Sequence, residues 1–383
     1  MTPPLKANEY RCKDCFIAKG VGVTLPETLE TKEIIMRFHK CSPKCQCQFI
    51  PPDVTENLAK AGIEAARLSF QQSQLFREQR SDKVVDIQTL IGAAPVKAAA
   101  RQVYDSKHTW EQRVKPVVRG EDDPETTDED VNLVHKYAGI VRDYFKNVLG
   151  RNSIDNLGMD LILNVHFGKE YMNAFWDGDE MTFGDGDGKI FISFAQSLDV
   201  VAHELTHGVT EFTANLEYKG QPGALNEHFS DVFGTVITQF YEGQTAHNAD
   251  WLIGDEIMGP DLYGEALRSM KAPGTAFDNP LMGKDRQPAH MKNYFAGPED
   301  NQGVHINSGI PNKAFYLVAM DIGTDKAALI WYTALQKLWP TAKFNDAVKV
   351  IVDAARLLTK DGKIPKGSTQ KVRAAFQEVG LPS

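Results

Sequence analysis

The sequence predicts an α+β protein with two lobes, the first a mixed lobe rich in strands and the second mainly helical. Alternating apolar residues in LILNVHF (161–167) and KIFISF (189–194) are typical of strands. After residue 212 the apolar residues recur at helical spacing, most clearly in DKAALIWYTALQKLW (325–339) and NDAVKVIVDAARLLTKDG (345–362). With 383 residues, of which 42% are hydrophobic, the chain is long enough for two or more domains.

These patterns, with the motifs described below, divide the chain into four segments. The segments are residues 1–48, 49–100, 101–211 and 212–383. The third segment contains one clear helix, VNLVHKYAGIVRDYFKNVLG (131–150). The last of the helical stretches is expected to begin at the capping residue Asn345 and to end at Gly362.

The stretch VVAHELTHGV (200–209) has two histidines four residues apart on a predicted helix. Positions i and i+4 lie on one helical face, so His203 and His207 can direct their imidazoles to one point. Neutral imidazole is a common zinc ligand. Glu204, one position off that face, is placed to take a proton from a water that the metal polarises. An ordinary polar helix face could carry the same pattern, so the metal interpretation needs further ligands.

A second predicted helix, GALNEHFSDVFGTV (223–236), supplies further groups. Glu227 and Asp231 are again four residues apart, and apolar residues occupy the other face. Glu227 is expected to be the third zinc ligand, which leaves the open fourth position of a catalytic site. Asp231 is expected to accept the outer N–H of a ligating histidine, and Asn226 to do similar work.

Together with three other motifs, these two stretches make the chain resemble the thermolysin-like metallopeptidases from about Val103 to Leu381. The motifs are NAFWDGDEMTFGDGDG (173–188), DVVAHELTHGVTEFTANLEY (199–218), GALNEHFSDVFGT (223–235), LRSM (267–270) and DNQGVHINSGIPNKAFYL (300–317). The resemblance implies a two-lobed catalytic fold, with the zinc helix at the floor of the cleft, and the activity of a zinc endopeptidase.

The resemblance also implies roles for single residues. Glu204 is the expected general base, and His305 and Tyr218 are expected to stabilise the oxyanion. Asp300 is expected to orient His305. The residues expected to bind the substrate backbone are Asn173 and Ala174, as an added edge strand, and Arg268. The residues expected to form an apolar pocket for Leu or Phe after the cleaved bond are Phe191, Phe194, Val200 and Leu267.

Calcium is expected to bind weakly or not at all. Asp199, Asp250 and Asp255 match carboxylates that bind a pair of calcium ions in the family. Two other matching positions are not acidic here, because they read Thr238 and Leu252. Since Ca²⁺ takes six to eight oxygen ligands, losing two carboxylates predicts at most one weak site.

All five cysteines lie near the start of the chain: Cys12, Cys15, Cys41, Cys45 and Cys47. Their spacing is compatible with a second, structural zinc site, with disulfides that leave one thiol over, and with free thiols. The spacing does not decide between the three. A further hypothesis is that Cys45 or Cys47 ligates the catalytic zinc in the uncleaved chain, because thiolates bind zinc well.

The stretch CQCQFIPPDVTENLAKAG (45–62) resembles the short propeptide of the protealysin-like branch of the family. Pro51 and Pro52 predict an extended entry to a helix capped by Asp53 or Thr55. The resemblance implies a propeptide that inhibits the same chain from within the cleft. The apolar preference predicts self-cleavage before Leu90, Ile91 or Val96.

The remaining expectations concern partners and location. A net charge of −9 argues against nucleic acid and anionic membranes as partners, and no apolar run is long enough to cross a membrane. The N-terminus lacks the apolar stretch of a Sec-type signal peptide, which favours a cytoplasmic protein or leaderless secretion. We expect a monomer that acts on proteins or peptides.

The sequence leaves two rival functions open. One is a catalytically inactive fold kept for binding, which the presence of Glu204, Tyr218 and His305 disfavours. The other is a chain whose main function lies in its cysteine-rich N-terminal extension.

Overall fold

The computed structural model describes residues 47–80 and 98–382 of the chain. A five-stranded mixed sheet forms the first lobe, with strand order β2-β1-β3-β5-β4. The strands are β1 (Arg101–Asp105), β2 (Val117–Arg119), β3 (Leu161–Val165), β4 (Ala174–Trp176) and β5 (Met181–Phe183). β3 pairs in parallel with β1 and β5, whereas β2 and β4 pair antiparallel with their neighbours. This order leaves β4 at an edge of the sheet.

Three helices connect the sheet to the second lobe. They are α3 (Glu129–Asn147), α4 (Leu198–Glu211) and α5 (Gly220–Glu242). α3 begins two residues before the predicted start, because the Asp128 carboxylate caps it by accepting the backbone N–H groups of Asp130 and Val131. α4 packs against α3, β4 and α5, so its residues lie where the two lobes meet.

The second lobe is mainly helical, as predicted. Its helices are α6 (Glu299–Asn307), α7 (Gly309–Ile322), α8 (Thr324–Leu335), α9 (Phe344–Lys360) and α10 (Ser368–Glu378). Its short strands are β6 (Leu252–Ile253), β7 (Arg268–Ser269), β8 (Asp278–Asn279) and β9 (Gly283–Lys284). The prediction that Asn345 caps α9 is wrong: the cap is Lys343, whose backbone N–H donates to the Asp346 carboxylate at 3.0 Å.

The predicted strand at 189–194 is also wrong. The Asp187 carboxylate accepts the backbone N–H groups of Lys189 and Ile190 at 3.0 and 2.8 Å, so these donors belong to a turn. Only a single bridge, between Phe191 and Met258, remains of the strand. The alternation of apolar residues there reflects burial of an irregular segment rather than a ladder.

The N-terminal segment, residues 47–80, consists of an extended stretch followed by α1 (Pro52–Lys60) and α2 (Glu64–Arg80). The N-cap residue of α1 is Pro51, and Pro52 occupies the first helical position. The prediction that Asp53 or Thr55 caps this helix is therefore wrong. Among the described residues, no helix has the length and apolar content that a membrane crossing requires.

Candidate active site

Three fully buried side chains from α4 and α5 converge on one point. Nε2 of His203 and Nε2 of His207 lie 3.0 Å apart. The Glu227 carboxylate oxygens lie 3.4 Å from His203 Nε2 and 3.5 Å from His207 Nε2. Ligands about 2.0 to 2.1 Å from a tetrahedral zinc ion lie about 3.3 Å from one another. The observed spacing therefore fits the ion.

The outer contacts of the two imidazoles fix which nitrogen faces the centre. His203 Nδ1 lies 2.9 Å from an Asp231 carboxylate oxygen, and His207 Nδ1 lies 2.9 Å from Asn226 Oδ1. These oxygens only accept hydrogen bonds, so each Nδ1 carries a proton, and Nε2 of a neutral imidazole is left with a lone pair that faces the centre. With both imidazoles neutral, two lone pairs and the Glu227 carboxylate face each other, an arrangement that a metal cation or a proton on His203 stabilises.

The charges at this centre suit a divalent metal. Burial lowers the pKa of His207 to about 3, which leaves the imidazole neutral. Burial opposes the charge of Glu227, but the charged imidazole of His305 and the hydrogen bond with His203 hold its pKa well below the usual range. Burial also disfavours a proton on His203, yet Asp231 and Glu227 outweigh it and raise the pKa to about 9. Metal binding at His203 therefore competes with a proton.

Asp231 holds the metal centre and the cleft wall together. Besides contacting His203, it forms an ion pair with Arg268 at 2.9 Å and accepts a hydrogen bond from Asn312 Nδ2 at 2.8 Å. Asn312 in turn bonds His228, whose other ring nitrogen accepts from Trp331 Nε1. One carboxylate thus orients both a ligating histidine and the predicted substrate-binding arginine.

His305 is held over the centre by Asp300, which lies in an unusual backbone segment. Residues 300–303 have φ between 49° and 79°, a left-handed conformation that costs roughly 1–3 kcal/mol for each non-glycine residue. This turn brings the Asp300 carboxylate 2.6 Å from His305 Nδ1 and 2.7 Å from the His305 backbone nitrogen. Burial disfavours a charged imidazole, but Glu227 and Asp300 raise the pKa of His305 to about 9. His305 is therefore a cation that donates from Nε2.

Tyr218 completes this side of the site. Its hydroxyl donates to the Glu227 carboxylate and lies 3.2 Å from His305 Nε2. Burial and the neighbouring Glu227 raise the pKa of Tyr218 well above 10, so the hydroxyl remains a donor. Glu204, the expected base, is fully buried on α4 beside His203.

The cleft is occupied by the N-terminal segment of the same chain. The Phe49 backbone N–H donates to the carbonyl oxygen of Ala174 at 3.1 Å, which holds the segment along the edge of β4 that no other described strand pairs. The Ile50 backbone N–H donates to Asn173 Oδ1 at 2.9 Å, and Asn173 Nδ2 donates back to the Ile50 carbonyl oxygen at 3.4 Å. Asn173 and Ala174 thus bind the backbone of residues 49 and 50, and their binding of substrate stays a prediction.

The carbonyl groups of this segment meet the cations of the site. His305 Nε2 lies 2.9 Å from the Gln48 carbonyl oxygen, and Arg268 Nη1 donates to the Phe49 carbonyl oxygen at 3.1 Å. The Gln48–Phe49 peptide bond therefore lies between His305, a predicted oxyanion donor, and Arg268, which was predicted to bind the substrate backbone. Sequence patterns alone did not identify these two residues as occupants of the cleft.

The Phe49 side chain fills a pocket beside the metal centre. Its ring lies edge-on to His203, with centroids 5.0 Å apart, and the Arg268 guanidinium lies 4.9 Å from the ring centroid. Gly254 gives the ring room, because a Cβ there would lie 3.0 Å from Phe49 Cε1 and 2.8 Å from Leu267 Cδ1. Of the predicted pocket residues, Leu267 thus lies near the ring. Phe191, Phe194 and Val200 are fully buried in the main core.

The carboxylates expected to bind calcium lie near the start of α4. Asp199 accepts the Gly254 backbone N–H at 2.7 Å, and Asp250 accepts the Leu252 backbone N–H at 3.0 Å. Burial and Asp199 raise the pKa of Asp255 to about 6 and that of Glu256 to about 7. Glu256 was not predicted here, because it directly follows Asp255 and no spacing marks it.

Of the five cysteines, the structure describes Cys47. Cys12, Cys15, Cys41 and Cys45 lie outside the described residues, as do the predicted cleavage positions Leu90, Ile91 and Val96. Cys47 is described, is fully buried and is disulfide-bonded.

Comparison with known proteins identifies the family of the chain. Residues 64–211 match the thermolysin metallopeptidase catalytic domain, and residues 214–381 match the thermolysin metallopeptidase α-helical domain. The chain is 43% identical over 302 residues to an extracellular metalloprotease from Pectobacterium carotovorum subsp. carotovorum, covering 76% of this chain and 84% of that protein. It is 44% identical over 288 residues to the protease PrtS from Photorhabdus sp. (strain Az29), covering 73% of this chain and 76% of that protein.

A solved structure with the same fold is the precursor of protealysin from Serratia proteamaculans. It superposes with a TM-score of 0.74 at 41% identity, covering 88% of this chain and 99% of that chain. The matched precursor confirms the predicted two-lobed fold with a preceding propeptide. The chain therefore belongs to the thermolysin-like metallopeptidase family, in its protealysin-like branch, and is a zinc metalloendopeptidase.

Proposed function

We propose that the chain is a zymogen of an endopeptidase that cleaves before bulky apolar residues, with Glu204 as the general base and residues 49–100 as the inhibitory propeptide. The observation that carries the proposal is the pose of residues 48–50. Their backbone engages the sheet edge and the cations of the site as a substrate would, and the peptide bond 48–49 faces the metal centre.

The residues that would hold zinc are His203, His207 and Glu227. When bound, zinc supplies a Lewis acid for the carbonyl oxygen and makes a nearby water more acidic. Glu204 follows His203 on α4, so its carboxylate lies beside the ligands rather than among them. There it would take the proton of the attacking water and deliver it to the leaving nitrogen.

The oxyanion that forms on attack would be stabilised by two donors of this chain. His305 carries a positive charge, and its Nε2 already lies 2.9 Å from a bound carbonyl oxygen. Tyr218 keeps its hydroxyl proton and lies 3.2 Å from the same nitrogen. Donors that are fixed before the reaction stabilise developing charge without reorganising.

The preference would be set by the pocket that Phe49 occupies. If the peptide bond 48–49 takes the place of the scissile bond, the nitrogen of Phe49 corresponds to the leaving amine. The pocket of Phe49 would then bind the side chain of the residue after the cleaved bond. Burying a Leu or Phe side chain there contributes roughly 1.5–3 kcal/mol, or about ten- to hundredfold in rate.

The same geometry makes the N-terminal segment an inhibitor. While residues 48–50 remain in the cleft, another peptide has no access to Asn173, Ala174 or Arg268. α1 and α2 hold the segment in place, since Asn57 Nδ2 donates to the Met282 carbonyl oxygen at 2.8 Å and Ser69 Oγ accepts the Met172 backbone N–H at 2.9 Å. The inhibition would be intramolecular, because the segment and the cleft belong to the same chain. The substrates of the matured chain would be proteins or peptides.

The test is digestion of a peptide series that differs only in the residue after one scissile bond. The purified chain, matured and assayed with and without a zinc chelator, should cleave before Leu or Phe at least tenfold faster than before Asp. Mass spectrometry identifies the bond. Equal cleavage before Asp would refute the preference, and cleavage that survives zinc removal would refute the mechanism.

A further inference from the structure

Cys47 lies at the metal centre, although it belongs to the N-terminal segment. It is fully buried and packs against Tyr218 and Val304. Its Sγ, a ring nitrogen of His207 and a carboxylate oxygen of Glu227 all lie within 4.8 Å of one another. The sulfur therefore lies on the side of the cleft where these two residues would hold zinc.

The position of Cys47 is imposed by the residues that follow it. The Gln48 carbonyl is fixed by His305, and the Phe49 backbone is fixed at both ends by Ala174 and Arg268. Because the backbone of residues 48–50 is held by these contacts, the side chain of the preceding residue, Cys47, lies at the metal centre. A cysteine at this position supplies the atom type that zinc binds well.

The chemistry of the sulfur depends on its oxidation state. His203, His207 and Glu227 fill three positions of a tetrahedral zinc site and leave one open. A thiolate fills such a position at about 2.3 Å from zinc. In the structure Cys47 is disulfide-bonded, and a disulfide sulfur lacks the negative charge that makes a thiolate a metal ligand.

We propose that Cys47 becomes the fourth zinc ligand of the zymogen when its disulfide is reduced. A dithiol reductant supplies two electrons and two protons, so the disulfide becomes two thiols and the reductant becomes a disulfide. The Cys47 thiol then releases its proton to solvent as its sulfur binds the metal. The sulfur takes the place that the attacking water needs, which closes the site. This inference rests on the proposed zinc site.

The device links activation to the redox state of the surroundings. In a reducing compartment the thiolate and residues 48–50 would block both the metal and the cleft. In an oxidising environment, where disulfides persist, the sulfur leaves the metal and only the backbone contacts hold the segment. The reduced zymogen is therefore the more tightly closed of the two.

The test uses the full chain with Glu204→Gln, which prevents self-cleavage, loaded with one equivalent of Co²⁺ in place of zinc. Reduction is carried out with a dithiol that is removed, together with its disulfide product, before the metal is added. Thiolate ligation gives an intense near-ultraviolet charge-transfer band, whereas histidine and carboxylate ligands give only weak visible bands. The variants are Cys47→Ser, the matched control Cys45→Ser, and a chain with Cys12, Cys15, Cys41 and Cys45 all replaced by serine.

We expect the charge-transfer band in the reduced chain, in Cys45→Ser and in the chain whose only cysteine is Cys47. It should be absent from Cys47→Ser and from the oxidised chain. A chain whose only cysteine is Cys47 that binds cobalt without the band would overturn the inference, and so would a band that persists when Cys47 of that chain is also replaced by serine. If His207→Ala leaves the visible bands unchanged in every form, the proposed zinc site itself fails, which is a separate result.

Discussion

Nε2 of His305 lies 2.9 Å from the carbonyl oxygen of Gln48, a residue 257 positions earlier in the chain. The contact places a peptide bond of the N-terminal segment against the residue expected to stabilise the transition state. Under the proposed function the segment inhibits by imitating a substrate, and the strength of the inhibition depends on the same pocket that selects substrates.

Replacing Phe49 by Ala should weaken the inhibition by about a hundredfold. The ring is fully buried between His203 and Arg268, and removing such a side chain costs about 3 kcal/mol, or two powers of ten. The measurement is the rate of peptide hydrolysis by freshly loaded zymogen before any cleavage of the chain. Leu75→Ala, an exposed position of the same segment at 47% exposure, is the control and should change little. Equal rates of hydrolysis by the uncleaved Phe49→Ala and Leu75→Ala chains would show that the contact of Phe49 with its pocket contributes nothing to the inhibition.

Asp231→Asn should weaken zinc binding by about ten- to a hundredfold. The carboxylate lies 2.9 Å from His203 Nδ1 and orients the imidazole that faces the metal. Competition with a chelating dye gives the zinc dissociation constant, and the melting temperature of the metal-free chain shows whether the fold survives. Asp325→Asn, at an exposed helix start, serves as control. An unchanged zinc affinity in a folded Asp231→Asn chain would contradict the assigned role.

His166 should stabilise the chain in a pH-dependent way. Its ring nitrogens lie 2.9 Å from Asp128 and from Asp185, and Asp130 lies 3.9 Å away. The hydrogen bond to Asp185 raises the pKa of His166 to about 10 against burial. Because the folded pKa lies above the unfolded value, the stabilisation is complete below about pH 6.5 and is lost as the pH rises through about 10.

The measurement for this contact is the free energy of unfolding of His166→Gln against wild type across pH. Loss of a hydrogen-bonded charge should lower the free energy of unfolding by about 2 kcal/mol at pH 6. The difference between wild type and His166→Gln should become smaller towards pH 10. His108→Gln removes a neighbouring histidine that is 61% exposed and contacts the same Asp185, and it should cost little. A gap of constant size at all pH values would mean that His166 acts by packing alone.

Calcium should contribute little to stability. Burial and Asp199 raise the pKa of Asp255 to about 6 and that of Glu256 to about 7, and Thr238 and Leu252 supply no carboxylate, so few charged oxygens are left for a cation that takes six to eight oxygen ligands. A calcium-selective chelator that leaves zinc in place should lower the melting temperature by less than about 2 °C. A large loss would require a strong calcium site and would overturn the sequence argument from Thr238 and Leu252.

Much of the site was predictable because it depends on helical spacing. His203 and His207 share a face by geometry, and Glu227 and Asp231 share one for the same reason. The contact between the two helices, and the left-handed turn at residues 300–303 that places Asp300, depend on tertiary packing. The role of Asp300 was expected from the family resemblance, and the turn itself was not predicted.

Other features escaped the sequence for physical reasons. Apolar residues alternate in segment 189–194 as they do in a strand, but backbone N–H groups at its start donate to the Asp187 carboxylate instead of to a neighbouring strand. Asn345 is a good capping residue by type, yet the chain enters α9 two residues earlier. The pose of Gln48 and Phe49 depends on contacts more than 120 residues away in sequence, such as Ile50 with Asn173, and no local pattern encodes that.

The central claim is that Glu204 is the base beside a zinc ion held by His203, His207 and Glu227. The most direct measurement compares matured wild type with Glu204→Gln for bound zinc and for peptide hydrolysis. The account predicts one zinc per chain in both, with hydrolysis reduced by about two to four powers of ten in the variant. A Glu204→Gln chain that holds zinc and hydrolyses peptides at the wild-type rate would contradict it.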